Sequence, residues 1–128
     1  MNLLLDTHIL LWAAYEPSRL SYAAHDLLSD NKYRLHFSVA SLWEVAIKSS
    51  LGRPDFSVDV DVLRLGLVAN DYTEVPIEAA HVIRLPTLPS IHSDPFDRIL
   101  VAQAMAEGYA LLSHDKKVIA YGGPVWAV

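Results

Sequence analysis

Four acidic residues, Asp6, Glu44, Asp97 and Asp115, each stand where a strand ends or a helix begins, and they are spread almost from one end of the chain to the other. In an α/β fold such positions converge on the rim formed by the carboxyl ends of parallel strands. Four carboxylates gathered there repel one another unless a cation neutralises them. A site built only of oxygen ligands selects Mg²⁺ or Mn²⁺, and the chemistry such an ion serves is reaction at phosphate. The ion would polarise a phosphoryl oxygen, lower the pKa of the attacking water and steady the leaving 3′-oxygen. Asp6 and Asp97 are the expected direct or water-bridged ligands. Glu44 and Asp115 are expected to ligate directly, to hold metal waters or to activate one as nucleophile. The hydroxyls of Thr7 and Ser113 stand beside two of these acids and are expected to orient them, although both also suit local turns.

Each acid has an ordinary explanation as well. Asp6, Asp94 and Asp115 precede helical stretches and are natural N-caps, favoured by the positive end of the helix dipole. Asp97 lies three residues after Asp94, the spacing of a capping box. Asp94 therefore reads as the structural cap, with Asp97 turned inward towards the site. Glu44 resists this account. It lies in the second turn of its helix, and its ordinary role there is an i,i+4 pair with Lys48, worth only ~0.3–0.5 kcal/mol.

The other chemistries are poorly supported. The chain has no cysteine, so no thiolate metal site or disulfide is available. Its six histidines include no two at i,i+4 on one helix and no His-Glu-x-x-His motif. Most are expected to be structural; His92, in the loop before Asp94, is the one best placed to touch a metal or substrate. No Gly-rich phosphate loop and no Gly-x-Ser-x-Gly elbow is present.

The elements that must carry these residues are legible. Asn2 to Leu5 is a short apolar run, as for a parallel strand buried on both faces. Asp6-Thr7 then caps a helix over Ile9 to Ala14, broken by Pro17. Ser21 caps a second helix with Ala23, Ala24, Leu27 and Leu28 as its apolar stripe. Tyr33 to Phe37 reads as a strand, and Ser38 caps a helix to Ser50 or Leu51, stopped by Gly52 and Pro54. Val58 to Asn70 is a further helix, with Val62, Leu65 and Ala69 at helical spacing. Tyr72 to Val75 is a third strand, followed by a brief helix near Ile77 to Arg84 and a proline-rich loop over Leu85 to Ser93. Asp94-Pro95 opens a strong helix that Gly108 ends. Tyr109 to Ser113 is a strand, Asp115 to Tyr121 a short helix, and Val125 to Val128 the last strand. This alternation predicts a three-layer α/β sandwich, a central parallel sheet of about five short strands flanked by helices.

At 128 residues, with 52% hydrophobic and 20% charged residues, one domain over 1–128 with an ample core is expected. The most apolar stretch, Met1 to Ala14, is interrupted by Asp6 and His8 and is too short to span a bilayer. It also lacks the features of a signal peptide, so a cytoplasmic protein is expected. The net charge of −5 argues mildly against indiscriminate binding to nucleic acid. Metal in the acidic site, clustering of the ten Lys and Arg, or a basic partner chain offsets it.

On these residues the chain resembles a PIN-domain ribonuclease of the VapC-like toxin family. The matching stretches are LLLDTHILLWA at 3–13, SVASLWEVAIKSSLG at 38–52, DPFDRILVAQAMAEG at 94–108 and LLSHD at 111–115, in the family's order. The resemblance puts the family's acids on Asp6, Glu44, Asp97 and Asp115 and its hydroxyl on Ser113. It implies a Mg²⁺- or Mn²⁺-dependent endoribonuclease that cuts structured RNA, tRNA or ribosomal RNA. It also implies a homodimer, the toxin of a type II toxin–antitoxin pair, inhibited by a cognate antitoxin whose carboxyl-terminal segment lies across the site and often supplies an Arg or Lys. Lys48, Arg53, Arg98, Lys116 and Lys117 are then the candidates for RNA phosphate contacts, against an equally ordinary reading as solvated charges. The competing reading is a non-catalytic module of the same fold that binds a protein partner or RNA. A receiver-type phosphoacceptor would need paired acids after the first strand, and an aspartyl phosphatase would need Asp-x-Asp there, where His8 stands instead.

Overall fold

Leu3, Leu4 and Leu5 are fully buried in succession, which requires a strand covered on both faces. They form β1 (Asn2–Leu5) at the centre of a five-stranded sheet, in a computed structural model that describes residues 1–54 and 56–128. The chain continues through α1 (Thr7–Tyr15), α2 (Tyr22–Ser29), β2 (Arg34–Ser38), α3 (Val39–Ser50), α4 (Val60–Ala69) and β3 (Thr73–Val75). It ends with α5 (Ala79–Arg84), α6 (Pro95–Glu107), β4 (Ala110–Ser113), α7 (Lys116–Ile119) and β5 (Val125–Ala127). The strand order is β3-β2-β1-β4-β5 and every pairing is parallel. The expected sandwich is therefore the fold observed.

Side chains alternate across the sheet with the period of two that a strand imposes. Leu3, Leu5, Ala110 and Leu112 join Ile9, Leu10, Phe37, Leu63 and Leu67 on one face. Leu4 and Leu111 meet Ile99, Leu100, Val101 and Ala104 on the other. Pairing of Leu3 with Ala110, Leu4 with Leu111 and Leu5 with Leu112 keeps both sets in phase and brings the ends of β1 and β4 level.

Helix starts follow the local chemistry. Ser21, Ser38, Asp59, Asp94 and Asp115 each accept hydrogen bonds from first-turn amides. Gly108, at φ 71°, takes the left-handed conformation that closes α6 and turns the chain directly into β4.

In α4 Val62, Leu65 and Ala69, at helical spacing, are not the buried residues. Val62 and Leu65 are 58% and 59% exposed, while Leu63 and Leu67 are buried. The segment VDVLRLGLVA is apolar on nearly all sides, so two stripes satisfy helical spacing. Docking against the sheet, not periodicity, chooses between them. The stripe of α2 is also narrower than expected: Ala24 is buried, Leu27 and Leu28 pack at the edge of the core, and Ala23 is exposed. Among the described residues no helix is long and apolar enough to cross a membrane.

Candidate active site

The chain's strand order reverses at β1, which has β2 on one side and β4 on the other. In open α/β sheets the carboxyl ends of strands at such a switch point border a crevice where sites form. Asp6 is the first residue beyond β1. Its backbone amide donates to Leu112 O at 3.0 Å, extending the β1–β4 ladder by one step. As the N-cap of α1, its Oδ1 accepts from Ile9 N–H at 3.0 Å, while its Oδ2 accepts a short hydrogen bond from the Ser113 hydroxyl. Ser113, fully buried at the end of β4, also accepts from Asp115 N–H at 3.1 Å. One hydroxyl, 107 positions from Asp6, thus joins Asp6 to Asp115.

Thr7 does something else. Its hydroxyl donates to Ser41 Oγ at 3.0 Å, tying α1 to α3, and does not orient a carboxylate as expected. The physical reason is proximity: α3 packs beside the first turn of α1, and a buried hydroxyl takes the nearest partner.

Glu44 is buried, in the second turn of α3, a helix that Ser38 starts directly at the end of β2. Its Oε2 accepts from Lys48 Nζ at 2.8 Å. Its Oε1 is buried with no partner among the described residues. Asp97 comes from α6, on the other side of the crevice. Its Oδ2 lies 2.8 Å from His92 Nε2, so it does not close the capping box back onto Asp94. Burial raises the Asp97 carboxyl from 3.8 to about 6. The charge of Asp94 adds to this, the His92 hydrogen bond opposes it, and the charges of Glu44 and Asp6 push it further up. Burial also raises Asp6, against the Ser113 and Ile9 hydrogen bonds and the nearby His8, with the charge of Asp115 again pushing up. The four acids therefore act on one another: Asp97 feels Glu44 and Asp6, and Asp6 feels Asp115.

Asp94 requires a correction. It caps α6 as expected, accepting from Phe96 N–H at 2.9 Å and Asp97 N–H at 3.4 Å, and both bonds fall on Oδ1. Yet its carboxylate is not remote from the pocket. His92, Asp94 and Asp97 offer ligand atoms within 4.8 Å of one another, the one such set of three among the described residues. The N-cap and the N3 residue share one helical turn, and here their carboxylates lie side by side.

The basic residues divide. Lys48 is held by Glu44. Arg98 spends its guanidinium on the carbonyls of Leu85, Pro89 and His92 and on the Tyr121 hydroxyl. Arg53, Lys116 and Lys117 are exposed, and Lys117 borders an open depression with Ser90, His92, Ser93 and Arg98. Tyr121 had no signal in the sequence, because its partners lie 23 and 29 positions away. Of the other histidines, His81 is buried, accepting from Glu78 N–H at 3.0 Å and meeting Glu107 Oε1 at 2.9 Å. His36 stacks on Tyr109 and bonds Asn2. His8 and His114 flank Trp12.

The chain and its fold have known counterparts. The chain is 30% identical over 126 residues to Ribonuclease VapC22 of Mycobacterium tuberculosis, spanning 96% of this chain and 94% of that protein. The fold superposes on a chain of VapBC2 from Rickettsia felis, crystallised bound to a DNA fragment from their promoter. There the TM-score is 0.70 at 17% identity, over 100% of this chain and 98% of the other. A chain of a toxin-antitoxin complex from Klebsiella pneumoniae gives a TM-score of 0.61 at 17% identity, over 96% and 94%. Residues 3–123, which include all four acids, match the PIN domain, and the chain belongs to the PIN-domain family as a VapC-like member.

Proposed function

We propose that this chain is a Mg²⁺- or Mn²⁺-dependent endoribonuclease, a single PIN domain acting at a pocket of Asp6, Glu44, Asp97 and Asp115. One observation carries the reading. Asp6, just beyond β1, and Glu44 on α3 lie near enough to Asp97 on α6 that their charges help raise it to about 6. A carboxylate opposed by burial and by neighbouring carboxylates is favoured in its charged form by a cation. The donor set fits a hard ion, since it is carboxylate oxygen and includes one buried oxygen, Glu44 Oε1, with no protein partner. The activity named for the Mycobacterium tuberculosis relative is a ribonuclease, in agreement with it.

Asp6 and Asp97 would hold the ion, with Glu44 and Asp115 acting directly or through water. Bound there, it would polarise the phosphoryl oxygen and acidify the attacking water. The chain's own residues prepare this site. Ser113 and the amide of Ile9 fix the two oxygens of Asp6, so the carboxylate cannot rotate away. Lys48 pins Glu44 Oε2 and leaves Oε1 to accept a hydrogen bond from the incoming water. Asp97 would contribute as the ionised form, which prevails above about pH 6 and which an adjacent cation would favour further. Lys116, Lys117 and Arg53, which are exposed, would contact phosphates of a structured RNA, tRNA or ribosomal RNA. The fold shared with a toxin-antitoxin complex supports the toxin role, with a cognate antitoxin as inhibitor in the cytoplasm. Exposed Trp43, Val82 and Ile83 offer an apolar surface for homodimerisation.

Purified protein is expected to cleave cellular RNA with Mg²⁺ or Mn²⁺ and to stop with EDTA, and Asp97→Asn is expected to be folded and inactive. Folded, antitoxin-free wild type that leaves all cellular RNA intact would replace the enzyme with a non-catalytic binding module.

A further inference from the structure

We propose that His92 is a positioning residue for Asp97, and that Arg98 and Tyr121 form the clamp that holds it in place; this rests on the metal-site reading above. The loop between α5 and α6 has only a single 3-10 turn, Leu85–Thr87, of regular structure. Such a segment does not by itself keep an imidazole at hydrogen-bond distance from a half-buried carboxylate, because ordering each loop residue costs conformational entropy. Here the ordering is imposed from outside. Arg98 Nη1 donates to Pro89 O at 3.1 Å, to Tyr121 Oη at 3.1 Å and to His92 O at 3.4 Å, and Nη2 donates to Leu85 O at 3.0 Å. The Tyr121 hydroxyl accepts from His92 N–H at 3.2 Å. Backbone groups of His92 are thereby held on both sides of its side chain.

The anchors are the two helices that carry acids. Arg98 directly follows Asp97 on α6, and Tyr121 lies just beyond α7, which Asp115 caps. Loop, carboxylate and clamp are joined by one network of hydrogen bonds. A neutral imidazole carries one N–H, and with a carboxylate at 2.8 Å that proton belongs on Nε2, donated to Asp97 Oδ2. One oxygen of Asp97 is then occupied and its torsion is fixed, so Oδ1 is the oxygen left for the ion. Direct ligation by His92 is the competing role, since it stands within 4.8 Å of Asp94 and Asp97. Chemistry favours positioning: Mg²⁺ and Mn²⁺ take oxygen ligands, and imidazole suits softer ions.

The test is Mn²⁺ binding to the full chain without RNA, with free ion followed by electron paramagnetic resonance. Partners that orient metal-ligating groups cost about 10- to 100-fold in affinity when removed. His92→Ala is expected to weaken Mn²⁺ binding by that factor with the circular dichroism spectrum unchanged. His92→Gln, which keeps an N–H donor of similar reach, is expected to recover most of the loss. Tyr121→Phe leaves the imidazole present and loosens its support, so a smaller loss in the same direction is expected; it carries the test if His92→Ala does not fold. Pulsed resonance of the bound ion is expected to show no directly coordinated imidazole nitrogen. Wild-type affinity in His92→Ala or in Tyr121→Phe, or a strong nitrogen coupling from His92, would overturn the proposal. Asp97→Asn separates the two readings: if it alone abolishes binding, the metal site stands and the positioning role falls. If wild type binds no Mn²⁺, both fall together.

Discussion

Replacing Asp97 by Asn is expected to remove cleavage and, at the same time, to stabilise the metal-free fold. At neutral pH the ionised carboxylate is opposed by burial and by the charges of Asp94, Glu44 and Asp6, with the His92 hydrogen bond as compensation. Its pKa of about 6, against 3.8 for the free side chain, corresponds to about 3 kcal/mol at 1.36 kcal/mol per pKa unit. The side chain is 16% exposed, so solvent screens only part of this, and about 1–3 kcal/mol is the expected range. Asparagine keeps the shape and an oxygen for His92 Nε2–H while removing the charge. The sign follows from the direction of the shift. A raised carboxyl pKa contributes stability that is complete below 3.8 and is lost as pH rises through about 6. Wild type should therefore weaken over that window in EDTA, whereas Asp97→Asn should not, and the gap should open as pH rises. Urea unfolding of both proteins across that range gives the difference directly. Adding Mg²⁺ at neutral pH should narrow the gap by stabilising wild type selectively. An Asp97→Asn protein less stable than wild type at neutral pH in EDTA would refute the account of Asp97 as a strained, metal-awaiting charge.

Mn²⁺ affinity of the wild type should tighten as pH rises through about 6, the value at which Asp97 ionises without metal, and a flat profile in calorimetric titrations would count against Asp97 as a ligand. Ser113→Ala deletes a buried donor to Asp6 Oδ2 and an acceptor for Asp115 N–H, and should cost about 1.5–3 kcal/mol in urea unfolding; an unchanged midpoint would show that Asp6 has another partner. On α4, Leu67→Ala should cost about 2–5 kcal/mol and Leu65→Ala less than about 0.5 kcal/mol, with thermal melts of the two variants distinguishing the buried stripe from the exposed one.

The acids show how far a sequence reaches and where it stops. Asp6, Asp94 and Asp115 were readable as helix caps, and all three do cap, since a cap needs partners only two or three residues away. Glu44 was readable for the opposite reason: no local role accounted for it beyond Lys48, and it is buried with one oxygen on that lysine and the other on nothing. Ser113 was readable from its place beside an acid. Thr7, placed likewise after Asp6, was misread because its nearest acceptor belongs to α3. Asp94 was readable as a cap, and its nearness to His92 and Asp97 was not, since capping says nothing of a side chain's other neighbours.

The sequence by itself determined the alternation of strands and helices, the helix starts and the order in which the acids appear. Those depend on period, capping and turn chemistry, which act within a few residues and do not wait for the fold. The tertiary structure decided which stripe of α4 turns inward, that Arg98 grips a loop, and that Tyr121 steadies His92 against Asp97. These contacts join residues whose separation along the chain carries no signal, and only the docking of helices on the sheet brings them within hydrogen-bond reach. The convergence of the acids lies between the two. Parallel strand order implies a common rim, but only a sheet ordered β3-β2-β1-β4-β5 brings β4 beside β1 and so joins Ser113 to Asp6.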